Sequence, residues 1–256
     1  MNFHLLAVAA LACSAAIGAG QVHGEPMTTV VDLPTRDATQ RFLYVRPDAP
    51  VASIVFLPGN TGVLGIENDG SMPTLPGRCG PLVRNRDAFA ARGFALALVD
   101  RASDGKVQQF VDIREVVRYV RARDDVPTWI MGGSGSTMAA LDFAIEFPLD
   151  QPLGLIIFSP YRPDLARAAL VKRPTLVMYH RDDQGLTGPP MKERVDALFD
   201  SLPDAPTKER TELIGGTMSD ECGGYHLFRG IDDDFVAAVS GFIVRHNAFS
   251  PRRATP

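Results

Sequence analysis

Five short, largely apolar stretches constrain the fold of this chain more than any other feature: Ala52–Leu57, Phe94–Val99, Trp129–Met131, Leu153–Phe158 and Thr175–Tyr179. Runs this short and this unbroken suit strands buried on both faces of a parallel sheet, because a half-exposed strand would alternate apolar with polar residues. Between them lie segments with helical spacing. Phe110, Ile113, Val117 and Val120 recur on one face while Arg114, Glu115, Arg118 and Arg121 fall largely elsewhere, the pattern of a helix packed on a sheet. Further helices are expected over Arg86–Arg92, Thr137–Glu146, Pro190–Ser201 and Asp232–His246, the last opening on three aspartates that favour a helix amino end. Alternating strands and helices predict an α/β architecture, a doubly wound, mostly parallel sheet with helices on both faces. Thr28–Leu33 and Gln40–Arg46, ending at Pro34 and Pro47, read as an antiparallel edge.

In such sheets the reactive groups gather at the carboxyl ends of the strands. The strand ending at Met131 runs into Gly132-Gly133-Ser134-Gly135-Ser136, and a helix follows from Thr137. A serine in so tight a strand-turn-helix junction is forced outward, and its neighbours must be small. Ser136 stands where the G-x-S-x-G pattern has its second glycine. The alternative readings are a structural glycine-rich turn and a phosphate loop, but the segment lacks the lysine of G-x-x-x-x-G-K-[ST] and the G-x-G-x-x-G fingerprint.

A serine hydroxyl needs a base, and the base needs a group to orient it. The strand Thr175–Tyr179 ends in His180-Arg181-Asp182-Asp183, and His226 lies in a glycine-rich loop before the last helix. The order serine, acid, histidine is that of one fold family. On these motifs the chain resembles the α/β-hydrolase family across roughly Val51 to Asn247. The resemblance implies a Ser-His-Asp triad of Ser134, His226 and Asp183, acting on a carboxylic ester, or on a thioester, amide or lactone, through an acyl-enzyme and without a cofactor. Relatives often end the acid strand with His-Gly-x-x-Asp. Laying that pattern on Tyr179–Asp183 selects Asp183, with Asp182 as the alternative one residue away. His180 falls in the glycine slot of that pattern and is expected to be structural; His246 is expected to be solvated, and His4 and His23 lie in or near the leader. For the oxyanion hole the resemblance implies backbone donors at Gly135 and, in the loop Pro58–Gly62, Asn60, although Pro58 stands where relatives often carry histidine.

Only Pro163–Val171, about two helical turns, separates the last two apolar strands, so no cap domain fits there. The long loop Thr61–Gly80 is the candidate wall of the site. Cys79 at its end and Cys222 near His226 are expected on the same side of the sheet, where a disulfide would pin wall to histidine loop; the spacing leaves open whether they are bonded or are separate thiols.

Composition narrows the function classes. A net charge of −4 with mixed signs offers no basic stripe, which argues against a nucleic-acid partner. The few, dispersed histidines and the absence of H-E-x-x-H or paired C-x-x-C motifs give no metal site. Leu5–Gly20 is uncharged and small or apolar, followed by polar Gln21–Glu25, and reads as a signal peptide over residues 1–20 with Gly18 and Gly20 before the cleavage point, despite lacking a basic start. A buried helix or short anchor is the alternative, as is lipidation at Cys13. The expected mature chain is a single domain over residues 28–250, exported to the periplasm or secreted, with no stable membrane insertion and a small ester-like substrate. A non-catalytic binding protein of the same fold and an acyltransferase or thioesterase using the same triad are the competing functions.

Overall fold

The computed structural model describes residues 24–147, 154–185, 188–203, 205–218 and 222–247. The expected leader over residues 1–20, Cys13 within it, Leu153 at the start of one expected strand and residues 248–250 at the end of the expected domain lie outside the described residues.

Eight strands among the described residues form one sheet: β1 (Met27–Thr35), β2 (Ala38–Arg46), β3 (Ala52–Leu57), β4 (Phe94–Val99), β5 (Thr128–Ser134), β6 (Gly154–Pro160), β7 (Thr175–His180) and β8 (Lys208–Leu213). They lie in the order β1-β2-β4-β3-β5-β6-β7-β8. The first two pair antiparallel to each other and β2 pairs antiparallel to β4, which makes the expected edge. All other pairings are parallel. Every residue of β3, β4 and β7 is buried, and the reason is visible in the layers on either side.

The helices are α1 (Leu75–Cys79), α2 (Pro81–Arg84), α3 (Arg86–Ala90), α4 (Phe110–Arg123), α5 (Thr137–Glu146), α6 (Leu165–Ala168), α7 (Met191–Asp200) and α8 (Asp232–His246). Because successive strand side chains point to opposite faces, each strand feeds two cores. Ile54, Phe56 and Trp129 pack with Val83 of α2, Phe89 of α3 and Phe242 of α8. Val55, Ile130 and Val177 pack with Val117 of α4, Leu141 of α5 and Leu198 of α7. Fully burying each such side chain contributes about 1.5–3 kcal/mol, so sandwiching both faces of the sheet is the main drive for this arrangement.

The structure departs from the sequence expectation in several details, among them the helix α1 inside the segment Thr61–Gly80 read as a loop. The segment expected to hold two helical turns holds one, α6, because Pro163 precedes it and Lys172-Arg173-Pro174 follows it. The strand β8 was not expected at all, since Lys-Glu-Arg-Thr-Glu-Leu has no apolar run. It is an edge strand on one parallel ladder with β7, and charged residues are the usual composition of exposed edges. Its presence also corrects the reading of His246: Glu209 of β8 lies 3.0 Å from His246 Nε2, and the ring packs on Phe242 at 4.6 Å between centroids, so this histidine is held in place and not solvated. None of the described helices is long and apolar enough to cross a membrane.

Candidate active site

From β3 the chain crosses to β4 on one side, and from there to β5 on the other. The crevice at such a switch point lies between the loops that leave β3 and β5. Those loops carry Asn60 and Ser134.

Ser134 ends β5 with φ 49°. This left-handed backbone is costly for a residue with a side chain and persists only where the surroundings enforce it. Three contacts do so. A Cβ on Gly132 would lie 2.7 Å from the Ala140 Cβ, so only glycine lets α5 sit this close to β5. The buried Ser136 hydroxyl accepts the Gly133 N–H at 2.8 Å and faces the carbonyls of Leu57 at 2.7 Å and Gly133 at 2.8 Å, donating its one proton to either. The Thr137 hydroxyl donates to the Ser134 carbonyl at 2.8 Å. Ser136 is thus the residue that ties the turn to the end of β3, which explains why a serine stands where the motif has glycine.

His226 sits in a single 3-10 turn, Gly224–Leu227, flanked by left-handed Gly223 and Phe228. Its Nδ1 lies 2.8 Å from Asp183 Oδ2, and Asp183 Oδ1 accepts the Gly185 N–H at 2.8 Å. With Nδ1–H donated to a carboxylate, Nε2 is left as the acceptor of a neutral imidazole. That Nε2 is buried and has no hydrogen-bond partner among the described residues. Burial pushes the Asp183 carboxyl up, but the hydrogen bonds from His226 and Gly185, with the electrostatic attraction of the His226 ring and of Arg194, hold it below the usual carboxylate range.

Of the two carboxylates the sequence left open, Asp183 is the one that meets His226. The Asp182 side chain is 49% exposed and lies 3.8 Å from Arg181. The buried ring of His180 is engaged at both nitrogens: Nε2–H donates to the Gly215 carbonyl at 2.7 Å and Nδ1 accepts the Asp182 N–H at 3.0 Å. It also stacks on Tyr225 at 4.4 Å, and so supports the histidine loop from below.

Among the contacts that the sequence does not show, two brace loops of the site. Ser159, buried at the end of β6 with φ 41°, donates from its hydroxyl to the His226 carbonyl at 2.8 Å. The Gln108 side-chain amide donates to the Pro58 carbonyl, bracing the loop after β3. Ser159 had one signal in the sequence, its place at a strand carboxyl end beside β5; Gln108 had none.

Asn60 has φ 55°, and a Cβ on Gly135 would lie 2.9 Å from the Asn60 amide nitrogen. The backbones of Asn60 and Gly135 therefore approach each other beside Ser134.

Ser134, Asn60 and His226 share a cleft of about 210 Å³ walled by Phe56, Leu64, Phe158 and Leu227. Leu64 comes from the long loop, which the Asp100 carboxylate fixes by accepting the Leu64 N–H at 2.7 Å and the Ile66 N–H at 2.9 Å. Cys79 and Cys222 are bonded, with Cα atoms 5.0 Å apart, and both line the cleft. Nearby, Arg84 Nη2 donates to the carbonyls of Leu227 at 2.6 Å and Phe228 at 3.0 Å, Nη1 to that of Cys79 at 2.8 Å, and Nε pairs with Asp232 at 2.5 Å. No group of three or more His, Cys, Asp or Glu side chains among the described residues is arranged to hold a metal ion.

No protein-family model and no curated relative matches the sequence. Solved structures do match in shape. A dienelactone hydrolase from Anabaena variabilis is 16% identical and superposes with a TM-score of 0.63, over 88% of this chain and 100% of that one. A cold-adapted esterase from an Arctic intertidal metagenomic library is 12% identical, with a TM-score of 0.62 over 89% of this chain and 98% of its own. An esterase from Pyrococcus furiosus is 12% identical, with a TM-score of 0.63 over 87% and 91%. The chain has the α/β-hydrolase fold. At these identities the likeness is one of fold, and the chemistry has to be argued from the site itself.

Proposed function

We propose that this protein is a serine hydrolase that cleaves a carboxylic ester through an acyl-enzyme. Ser134 is the nucleophile, His226 the general base and then acid, and Asp183 the group that orients and stabilises the imidazolium. The observation that supports this reading is that Ser134 and His226, whose Nε2 has no hydrogen-bond partner among the described residues, line one cleft, while the other ring nitrogen is held by a buried carboxylate.

In the first half-reaction His226 Nε2 takes the Ser134 hydroxyl proton as Oγ attacks the ester carbonyl. The negative charge that develops on the carbonyl oxygen is stabilised by hydrogen bonds donated by the backbone N–H groups of Asn60 and Gly135. Collapse of the tetrahedral species expels the alcohol, which takes the proton from His226. A water molecule, deprotonated by the same nitrogen, then attacks the acyl carbon and releases the acid and free Ser134. The apolar walls of the cleft favour an uncharged acyl group, since a second charge buried there would have no partner.

The same proposal puts the protein outside the cytoplasm, in the periplasm or medium. A disulfide between Cys79 and Cys222 supports this, because such bonds persist in oxidising compartments.

Hydrolysis of p-nitrophenyl acetate tests the activity. Wild type should turn over, and Ser134→Ala and His226→Ala, shown by circular dichroism to be folded, should each lose about 10⁴-fold or more in kcat. A folded Ser134→Ala protein that retains wild-type turnover would overturn the proposal.

A further inference from the structure

The disulfide and Arg84 both join the α1–α2 side of the cleft to the histidine loop and meet at Cys79, whose carbonyl accepts from Arg84 Nη1 at 2.8 Å, but on the loop they hold different residues. Arg84 grips the carbonyls of Leu227 and Phe228, immediately after His226, and Ser159 grips the carbonyl of His226 itself. Those contacts, with Asp183 on Nδ1, position the base without help from the cysteines. The sulfur bridge is placed otherwise. Cys79 is 3% and Cys222 9% exposed, and both belong to the lining of a cleft that also includes the buried, stacked rings of Phe56 and Phe158. Leu75, one helical turn before Cys79, is 43% exposed and lines the same cleft toward solvent. The bridge is therefore part of the cleft wall, and it is the covalent tie between α1 and the residues before His226, beside the hydrogen bond that Arg84 Nη1 donates to the Cys79 carbonyl.

We propose that the Cys79–Cys222 disulfide is a specificity-determining wall of the acyl pocket, which confines the oxidised enzyme to short acyl groups, while Arg84 is a positioning residue that holds the base. This rests on the acyl-enzyme reading above. Breaking the bond lets the α1 wall retreat and admits longer chains. Breaking the Arg84 contacts loosens His226 and slows all esters alike. A hydrophobic pocket discriminates by the volume it offers each methylene, so the signature of the wall is a changed ratio between substrates and not a uniform loss.

The test compares kcat/KM for p-nitrophenyl acetate and p-nitrophenyl octanoate in the full protein. Four forms are assayed: wild type, the Cys79→Ala/Cys222→Ala double variant, wild type reduced with a water-soluble phosphine, and Arg84→Met. The phosphine converts the bridge to two thiols and leaves as phosphine oxide, its oxygen coming from water. The octanoate-to-acetate ratio should rise at least about tenfold in the double variant and in the reduced enzyme. In Arg84→Met, kcat should fall about tenfold for both esters with the ratio unchanged. The proposal is overturned by a ratio within about twofold of wild type in both disulfide-free forms, or by an equal rise in Arg84→Met. It is also overturned if both disulfide-free forms lose their native circular dichroism, because the bond would then serve the fold and not the pocket. Failure of the underlying reading shows separately, as ester hydrolysis that survives Ser134→Ala.

Discussion

The turn that carries Ser134 and the loop that carries His226 are held in place by opposite means. The turn is local: Gly132, Ser136, Thr137 and Ala140 supply most of what enforces the left-handed backbone, and all lie within eight residues of one another. The loop is assembled from afar, from Asp183 of the β7 end, Ser159 of the β6 end and Arg84 of α2. A nucleophile that must sit at a strained angle gains from neighbours that fold with it. A base that must only be aimed can be steered by contacts from several elements, each of which can also shape the pocket.

The largest effect on the aiming of the base is expected at Asp183. Replacing it by Asn keeps the shape but reverses the hydrogen bond to Nδ1, which favours the wrong tautomer, and kcat should fall by about 10⁴. The neighbouring Asp182→Asn should stay within about twofold, since exposed charges of this kind contribute little. Equal losses in steady-state kinetics would remove Asp183 from its role.

Ser136→Ala tests the local half. It deprives the buried Gly133 N–H of its acceptor and should destabilise the protein by about 1–3 kcal/mol, lowering the melting temperature by roughly 2–4 °C per kcal/mol for a chain of this size. An unchanged melting temperature would mean that the turn is held without this hydroxyl.

A smaller effect of a different kind is expected for Ser159→Ala. Loss of one aiming contact should lower kcat about fivefold, leave KM near its wild-type value and cost no more than about 1.5 kcal/mol of stability. A change in KM alone would place Ser159 with substrate binding and not with the base.

The smallest expected signal is in the pH dependence of stability. Because the folded Asp183 carboxyl titrates below its unfolded value, its contribution is complete above about pH 4 and is lost as the pH falls through the folded value. Melting temperatures measured from about pH 6 down to about pH 2.5 should therefore decline less steeply in Asp183→Asn than in wild type. Parallel curves would show that this carboxylate is not stabilised by folding.

The same division explains how much was legible in the sequence. The strands buried on both faces announce themselves as apolar runs, and the helices α4, α5 and α8 begin where their spacing begins. The turn at Ser134 was legible because its determinants are contiguous. Asp183 and His226 were legible as candidates from their places after β7 and before α8, but the choice between Asp182 and Asp183 depends on which side chain points inward at a strand end, and a one-residue slip reverses it. The strand β8 was hidden because an edge strand needs no apolar pattern. Ser159, Gln108 and Arg84 were hidden because each acts through a backbone carbonyl on another element, and carbonyls carry no sequence signal.

Covalent labelling reads the activation of Ser134 itself. Treated with a fluorophosphonate, the wild-type protein should gain one adduct, mapped by peptide mass to Ser134. Ser134→Ala should gain none, and His226→Ala should label far more slowly. An adduct on another residue, or a folded wild type that stays unlabelled, would contradict the account.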